Sequence, residues 1–167
     1  MSSNNPLLIT LQDQDSRYRV PPHGVIGRLL AALGLTLYVV SFFLWAVGDR
    51  IPTGSPLRGY FCAHFALLFP LGTAGWKDMV HERPIEYFSL LISGWINPLF
   101  LAAVTLGFWR PASSASLIFR IATLLSIPFC WVVFDYEGFY PREGHFLWLA
   151  GIVLTLAAFW LAKPAGK

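Results

Sequence analysis

Long apolar runs alternate with short polar breaks along this chain. Crossing roughly 30 Å of hydrocarbon takes about 20 apolar residues as a helix. Four runs meet that length: 25–47, 86–108, 115–134 and 145–162, the last short but dense. A fifth, 57–76 (LRGYFCAHFALLFPLGTAGW), is ambiguous, because it carries Arg58, His64, Pro70 and the glycines 59, 72 and 75. The pattern predicts an all-α integral membrane protein, a four-helix transmembrane bundle in which 57–76 dips into the membrane or lies at its interface. Five spans are the alternative. Residues 1–22 form a polar N-terminal segment, and 23–163 a single transmembrane domain. That polar segment lacks the basic-then-apolar layout of a cleavable signal, so the first span is expected to stay as an anchor.

Composition agrees with this class. Hydrophobic residues make up 56% of the 167 positions and charged ones 13%, with a mean hydropathy of +0.57. Soluble domains carry about a quarter charged residues. The formal charge of +3 and pI near 9.1 do not point to nucleic acid, because the basic residues stand singly beside apolar runs rather than in a patch. They read as topology signals. With four spans, Arg17, Arg19, Arg28, Arg110, Arg120, Lys163 and Lys167 fall on the N-terminal side, and Arg50, Arg58, Lys77, Arg83 and Arg142 on the other. Five spans would balance the two sides. The positive-inside rule therefore favours four spans with the N-terminus cytoplasmic. Trp45, Trp76, Trp109, Trp131, Trp148 and Trp160 lie near proposed ends, as an aromatic belt requires; Trp95 is mid-span.

Each of the four spans has one distinct face, since residues three and four apart in a helix share a side. The first carries Gly27, Ala31, Gly34, Tyr38 and Ser41, and the last Gly151, Thr155, Ala158 and Ala162. The second carries Glu86, Ser89, Ser93 and Asn97, and the third Ser116, Arg120, Thr123, Ser126 and Cys130. Small and hydroxyl residues are the usual contact surface between helices in lipid, so these faces are expected to meet in a bundle. The sharper alternative sets the Glu86–Asn97 and Arg120–Cys130 faces around a polar cavity. Pro98 and Pro128 each remove a backbone donor and predict kinks. Asn97, beside Pro98, needs partners inside the bundle because an unpaired amide in hydrocarbon is costly.

Catalytic motifs are missing: the sequence has no phosphate-cradling glycine loop, no nucleophile elbow and no HExxH. No catalytic or metal-ligating residue is assigned. His64 is the candidate axial ligand for a haem or pigment, with quinone as a third lipophilic cofactor, although no cofactor is required. Cys62 and Cys130 sit in different apolar runs and lack ligand spacing. The break FDYEGFYPREGH, 134–145, offers Tyr136, Phe139, Tyr140 and Arg142, residue types that anchor protein interfaces.

Two short pieces carry a resemblance. WINPL (Trp95–Leu99) is similar to a Trp-Leu-Ala-Asn-Pro pattern, and GHFLWLAG (Gly144–Gly151) to Gly-Tyr-Tyr-Leu-Trp-Leu-Ala-Ser, both found in a loose group of small bacterial four-span membrane proteins. This chain has Ile96 and Gly151 where those patterns have Ala and Ser, and a longer segment before Trp95. The resemblance implies a four-span bundle in a bacterial inner membrane. The packing faces, the aromatic break 134–145 and the missing catalytic motifs, rather than the resemblance, give the functional expectation: a non-catalytic protein acting through contacts with other membrane subunits, with its own copies or with lipid. It would serve as an accessory subunit or as an immunity or sensor component. Haem, pigment or quinone binding, and pore formation by an oligomer, are the alternatives.

Overall fold

The computed structural model describes residues 25–49, 56–72 and 76–161. In chain order the elements are α1 (Val25–Ser41), β1 (Trp45–Asp49), β2 (Leu57–Arg58), α2 (Gly59–Gly72) and α3 (Trp76–Glu82). They continue with α4 (Pro84–Trp109), α5 (Ser114–Glu137), β3 (Phe139–Pro141) and α6 (Glu143–Leu161). The protein is mostly helical. The polar segment 1–22 and the positions Ala162, Lys163 and Lys167 lie outside the described residues.

Three helices are long and apolar enough to cross a membrane: α4, with 26 residues, α5, with 24, and α6, with 19. Helix α1 is equally apolar but has 17 residues, about 26 Å at the helical rise. Helix α2 has 14. The expected helix over 25–47 is therefore corrected at its C-terminal end, where the chain leaves α1 at Ser41 and enters a strand. The reason lies in what meets that end. The Gly59 N–H donates to Leu44 O and the Tyr60 N–H to Phe42 O, both at 3.0 Å. The last carbonyls of α1 are taken by the turn itself, Phe42, Phe43 and Leu44 N–H donating to Val39, Val40 and Ser41 O, and the first turn of α2 supplies donors to carbonyls just beyond. Gly59 fits there because a Cβ would stand 2.6 Å from Ser41 O.

A small sheet accompanies the helices. β1 lies between β2 and β3 in an antiparallel sheet, with Val47 opposite both Leu57 and Pro141, and Gly48 opposite Tyr140. Val47 and Ala46 are buried. The break expected over 134–145 is also shorter than it looks in the sequence. Helix α5 runs to Glu137, Gly138 ends it in the left-handed conformation (φ 67°), and β3 follows at once. At the other end of α5 the Ser113 hydroxyl accepts from the Ser116 N–H at 3.1 Å, a side-chain N-cap. Helices α4 and α5 continue through Pro98 and Pro128.

Side-chain contacts fix the helix directions. Gly34 and Tyr38 approach Gly151, whereas Ser41 and Trp45 approach Gly144, so α1 and α6 are antiparallel. Asn97 meets Trp148 and Gly107 meets Phe159, so α4 and α6 are parallel. Phe134 packs on His145 and Arg120 reaches Phe159, so α5 is antiparallel to both. The end of α1 and the start of α4 therefore share one end of the bundle. The insert 42–83 leaves and returns at that end, and the sheet covers it.

The faces picked out by spacing are the buried ones in the helices. In α1 these are Ala31, Gly34, Tyr38 and Ser41, and in α6 Gly151, Thr155 and Ala158 are among them. A Cβ on Gly151 would stand 2.6 Å from Tyr38 N and 2.7 Å from Gly34 O, so backbone meets backbone at this crossing. Ile96, Phe100, Ala103, Ile152, Leu156 and Phe159 fill the centre. Gly151→Leu is expected to force α1 off α6 and cost about 3 kcal/mol, the upper range for overpacking. Resistance to unfolding in mixed micelles would measure this, and an unchanged midpoint would contradict the close crossing.

Candidate functional site

Asn97 sits where three helices meet. Its Oδ1 accepts from the Tyr38 hydroxyl of α1 at 3.0 Å and from the Trp148 indole N–H of α6 at 2.9 Å. Indole nitrogen only donates, so the oxygen of the carboxamide must face it. The amide nitrogen then points elsewhere, and among the described residues it donates to no partner. Tyr38 is held in place by Phe42 and Phe100, with ring centroids at 5.0 and 4.6 Å.

Beside Asn97 lies a cavity of about 300 Å³, at the small end of ligand-site volumes. Helices α2, α4, α5 and α6 wall it, and the sheet and the end of α1 cover it. Phe61, Phe65, Cys130 and Phe134 typify its apolar lining. Among the described residues the polar ones that line it are few: Ser41, whose hydroxyl donates to Tyr38 O at 2.6 Å, Ser93, Asn97, His145 and, at the rim, Glu137. The Ser93 hydroxyl already donates to Leu90 O at 2.9 Å.

His145 is the unexpected member. It is 6% exposed, and its Nε2 has no hydrogen-bond partner. Its ring is wedged among Phe134, Trp131 and Trp148, at centroid distances of 4.8, 5.6 and 5.5 Å. A buried polar nitrogen without a partner is uncommon in folded proteins and calls for an explanation. The spacing of His145 and Trp148, three apart on α6, places both on the face toward Asn97. The sequence reading instead favoured His64, which is exposed and does not line the cavity.

The other singled-out residues separate into two kinds. Thr123 donates to Phe119 O and Ser126 to Ala122 O, both at 2.7 Å, so these hydroxyls satisfy themselves within α5. Ser89 is buried on α4, while Pro98 is half-buried. Arg120 forms a second cross-helix tie at the far end. Its guanidinium donates to Phe159 O at 3.4 Å, to Pro111 O at 3.3 Å and to Ser116 Oγ at 2.7 Å, and it lies over the Phe159 ring at 5.1 Å. Those carbonyls belong to the C-terminal turns of α6 and the loop before α5, where a cation is favourable. Glu86 is buried at the cavity end, with Arg83 Nε 2.6 Å from its Oε2. In the 134–145 segment Tyr136 and Tyr140 are exposed, Phe139 lines the cavity, and Arg142 pairs with Glu143 at 3.4 Å.

The node around Asn97 makes a quantitative expectation. Interhelical hydrogen bonds in membranes contribute about 0.6 kcal/mol each and at most about 1.7. Asn97→Leu removes two and strands the Tyr38 and Trp148 donors, so about 2 kcal/mol of destabilisation is expected. Trp148→Phe should cost less than half of that. A double-mutant cycle in mixed micelles measures the coupling, and strict additivity would dissolve the node. No family model, curated protein or solved structure matches the chain, so its chemistry is read from these residues alone.

Proposed function

We propose that this is a non-catalytic integral membrane protein that crosses the bilayer four times and holds a lipophilic small molecule in the capped cavity. The carrying observation is Asn97, whose Oδ1 is taken by Tyr38 and Trp148, so that only its amide nitrogen is left to offer on the wall of a mainly apolar chamber. Burying an unbonded nitrogen costs on the order of 1–3 kcal/mol. A guest that bonds to it recovers that cost, which is a physical reason for the arrangement to exist.

The four crossings are α1, α4, α5 and α6, with α2 and α3 dipping from one end. Two observations support this count. The insert 42–83 starts and finishes at the same end of the bundle, and α2 is too short for a full crossing. The basic residues Arg28, Arg110 and Arg120 lie toward the other end, which we assign to the cytoplasm by the positive-inside rule. A second role, contact with another membrane subunit, is favoured by the exposure of Tyr136 and Tyr140 on the covered end.

Native mass spectrometry of the chain, gently extracted from its own membrane, tests both roles. The expected mass exceeds that of the polypeptide by one small lipophilic molecule. Assemblies containing only other polypeptides would favour the contact role and remove the ligand role. Topology is checked separately in a background lacking Cys62 and Cys130. Membrane-impermeant maleimide should label cysteines placed at Asp49, Glu82 and Gly138 from one side, and one at Ala112 from the other. Labelling of the Asp49 and Glu82 positions from opposite sides would rule out four crossings.

A further inference from the structure

Resting on the proposed ligand site, we infer that its occupant is a neutral quinone: a flat ring bearing carbonyl oxygens, with an apolar tail that leaves the cavity toward the bilayer. Four observations lead there. The first is hydrogen-bond polarity. Because Asn97 Oδ1 is used by Tyr38 and Trp148, the amide offers the cavity only N–H donors. The head of the ligand must therefore present an acceptor, and a carbonyl oxygen is the simplest apolar-compatible one. His145 adds its ring to the wall, but its Nε2 is enclosed and gives the ligand no hydrogen bond.

The second observation is charge. No Lys or Arg lines the cavity, and the single ionisable acid, Glu137, stands at its rim. A phosphate or carboxylate head would enter without a counter-charge and pass a carboxylate on the way. Phospholipids and fatty acids are disfavoured by the same Coulomb argument that makes unpaired charge in low dielectric costly. The third is shape. Phe42, Phe61, Phe65, Phe134, Phe139 and Trp148 contribute aromatic faces and edges to the wall, which suits a planar ring. A volume of about 300 Å³ accepts a substituted ring but not a long isoprenoid chain.

The fourth is the opening. The lining residues that remain exposed are Phe61 and Phe65 of α2 and Glu137 at the end of α5. Leu68, on the same side of α2, is exposed as well. The cavity thus opens sideways between α2 and α5 past apolar side chains, a surface suited to acyl chains rather than water. A tail leaving there stays in the bilayer while the head stays inside. The role assigned is binding; no electron transfer is implied.

The test uses the full chain in lipid nanodiscs of neutral composition, titrated with para-benzoquinone carrying a decyl tail, with decanol and with decyl phosphate. Bound probe is counted by native mass spectrometry. The quinone is expected to bind at one per chain and the other two at least about tenfold more weakly, the difference of one hydrogen bond to a buried group. Asn97→Leu, which removes the N–H donors, should lower quinone affinity by about tenfold and leave the weak decanol binding unchanged. Val133→Trp, which fills the cavity from α5, should abolish both. Equal binding of decanol and quinone would overturn the head-group assignment while the lipophilic site stands. Saturable decyl phosphate binding would overturn the neutral-head argument. Binding of no probe, or binding that survives Val133→Trp, would overturn the site itself.

Discussion

One oxygen atom organises the centre of this bundle. Asn97 Oδ1 receives the Tyr38 hydroxyl and the Trp148 indole N–H, so α1, α4 and α6 are joined at a point. The energetics work by avoidance more than by attraction. Two interhelical hydrogen bonds in a membrane contribute about 1–3 kcal/mol together. An unbonded amide in a purely apolar medium costs about 4–8 kcal/mol. A rotation of any of the three helices would strand at least one polar group, and the penalty exceeds what lipid-facing repacking can return. Apolar packing of Phe100, Ile96 and Ile152 tolerates several registers; this polar point allows one. Gly34 and Gly151 make the same register possible sterically, because their lack of side chains lets α1 and α6 approach until backbone meets backbone.

The covered end follows from a second constraint, the need to pair the backbone of the segment that leaves α1. The N–H groups of Gly59 and Tyr60 answer the carbonyls of Leu44 and Phe42, which docks the start of α2 just past the end of α1. The Arg142 N–H then donates to Ala46 O at 2.9 Å, extending the tie to the approach of α6. These bonds draw the sheet over the bundle end. Helix α2 is consequently held at its first turn and at Gly94, where its Ala66 backbone presses on α4. It stands away from α5, and the cavity occupies the space between.

How much of this was legible in the sequence differs by element. Helical spacing alone identified Gly27, Ala31, Gly34, Tyr38 and Ser41 as one face, and all but Gly27 are buried. The same reasoning gathered Ser116, Arg120, Thr123, Ser126 and Cys130, of which all but the half-buried Cys130 are buried. Spacing works there because burial of a helix face is a one-dimensional property. What the sequence concealed depends on pairing between distant segments. The stretch Trp45–Asp49 is as apolar as a span end, and nothing local says that Pro141 and Leu57 will flank it as strands. His145 looked like the last residue of a polar loop, yet Trp131 and Phe134 of another helix enclose it. His64 showed the reverse: its apolar neighbours suggested burial, but α2 lacks a partner on that side. Asn97 was legible as a residue that needs partners, and its partners were not.

The same node links architecture to the proposed ligand. A carboxamide has two ends, and the bundle consumes only the accepting one. Had Asn97 served packing alone, any residue presenting one acceptor to Tyr38 and Trp148 would have sufficed. Asn97 also lines the chamber, as does His145, three residues from Trp148 on the same face of α6. Trp148 therefore positions both groups, one by its hydrogen bond and the other by its ring, at 5.5 Å from the imidazole. Rigid helices on three sides hold these two polar groups fixed, while the fourth side, α2, is the short, lightly packed element beside the opening. That division suits reversible binding, because recognition is pre-organised on α4 and α6 and access is left to the element with least to lose by moving.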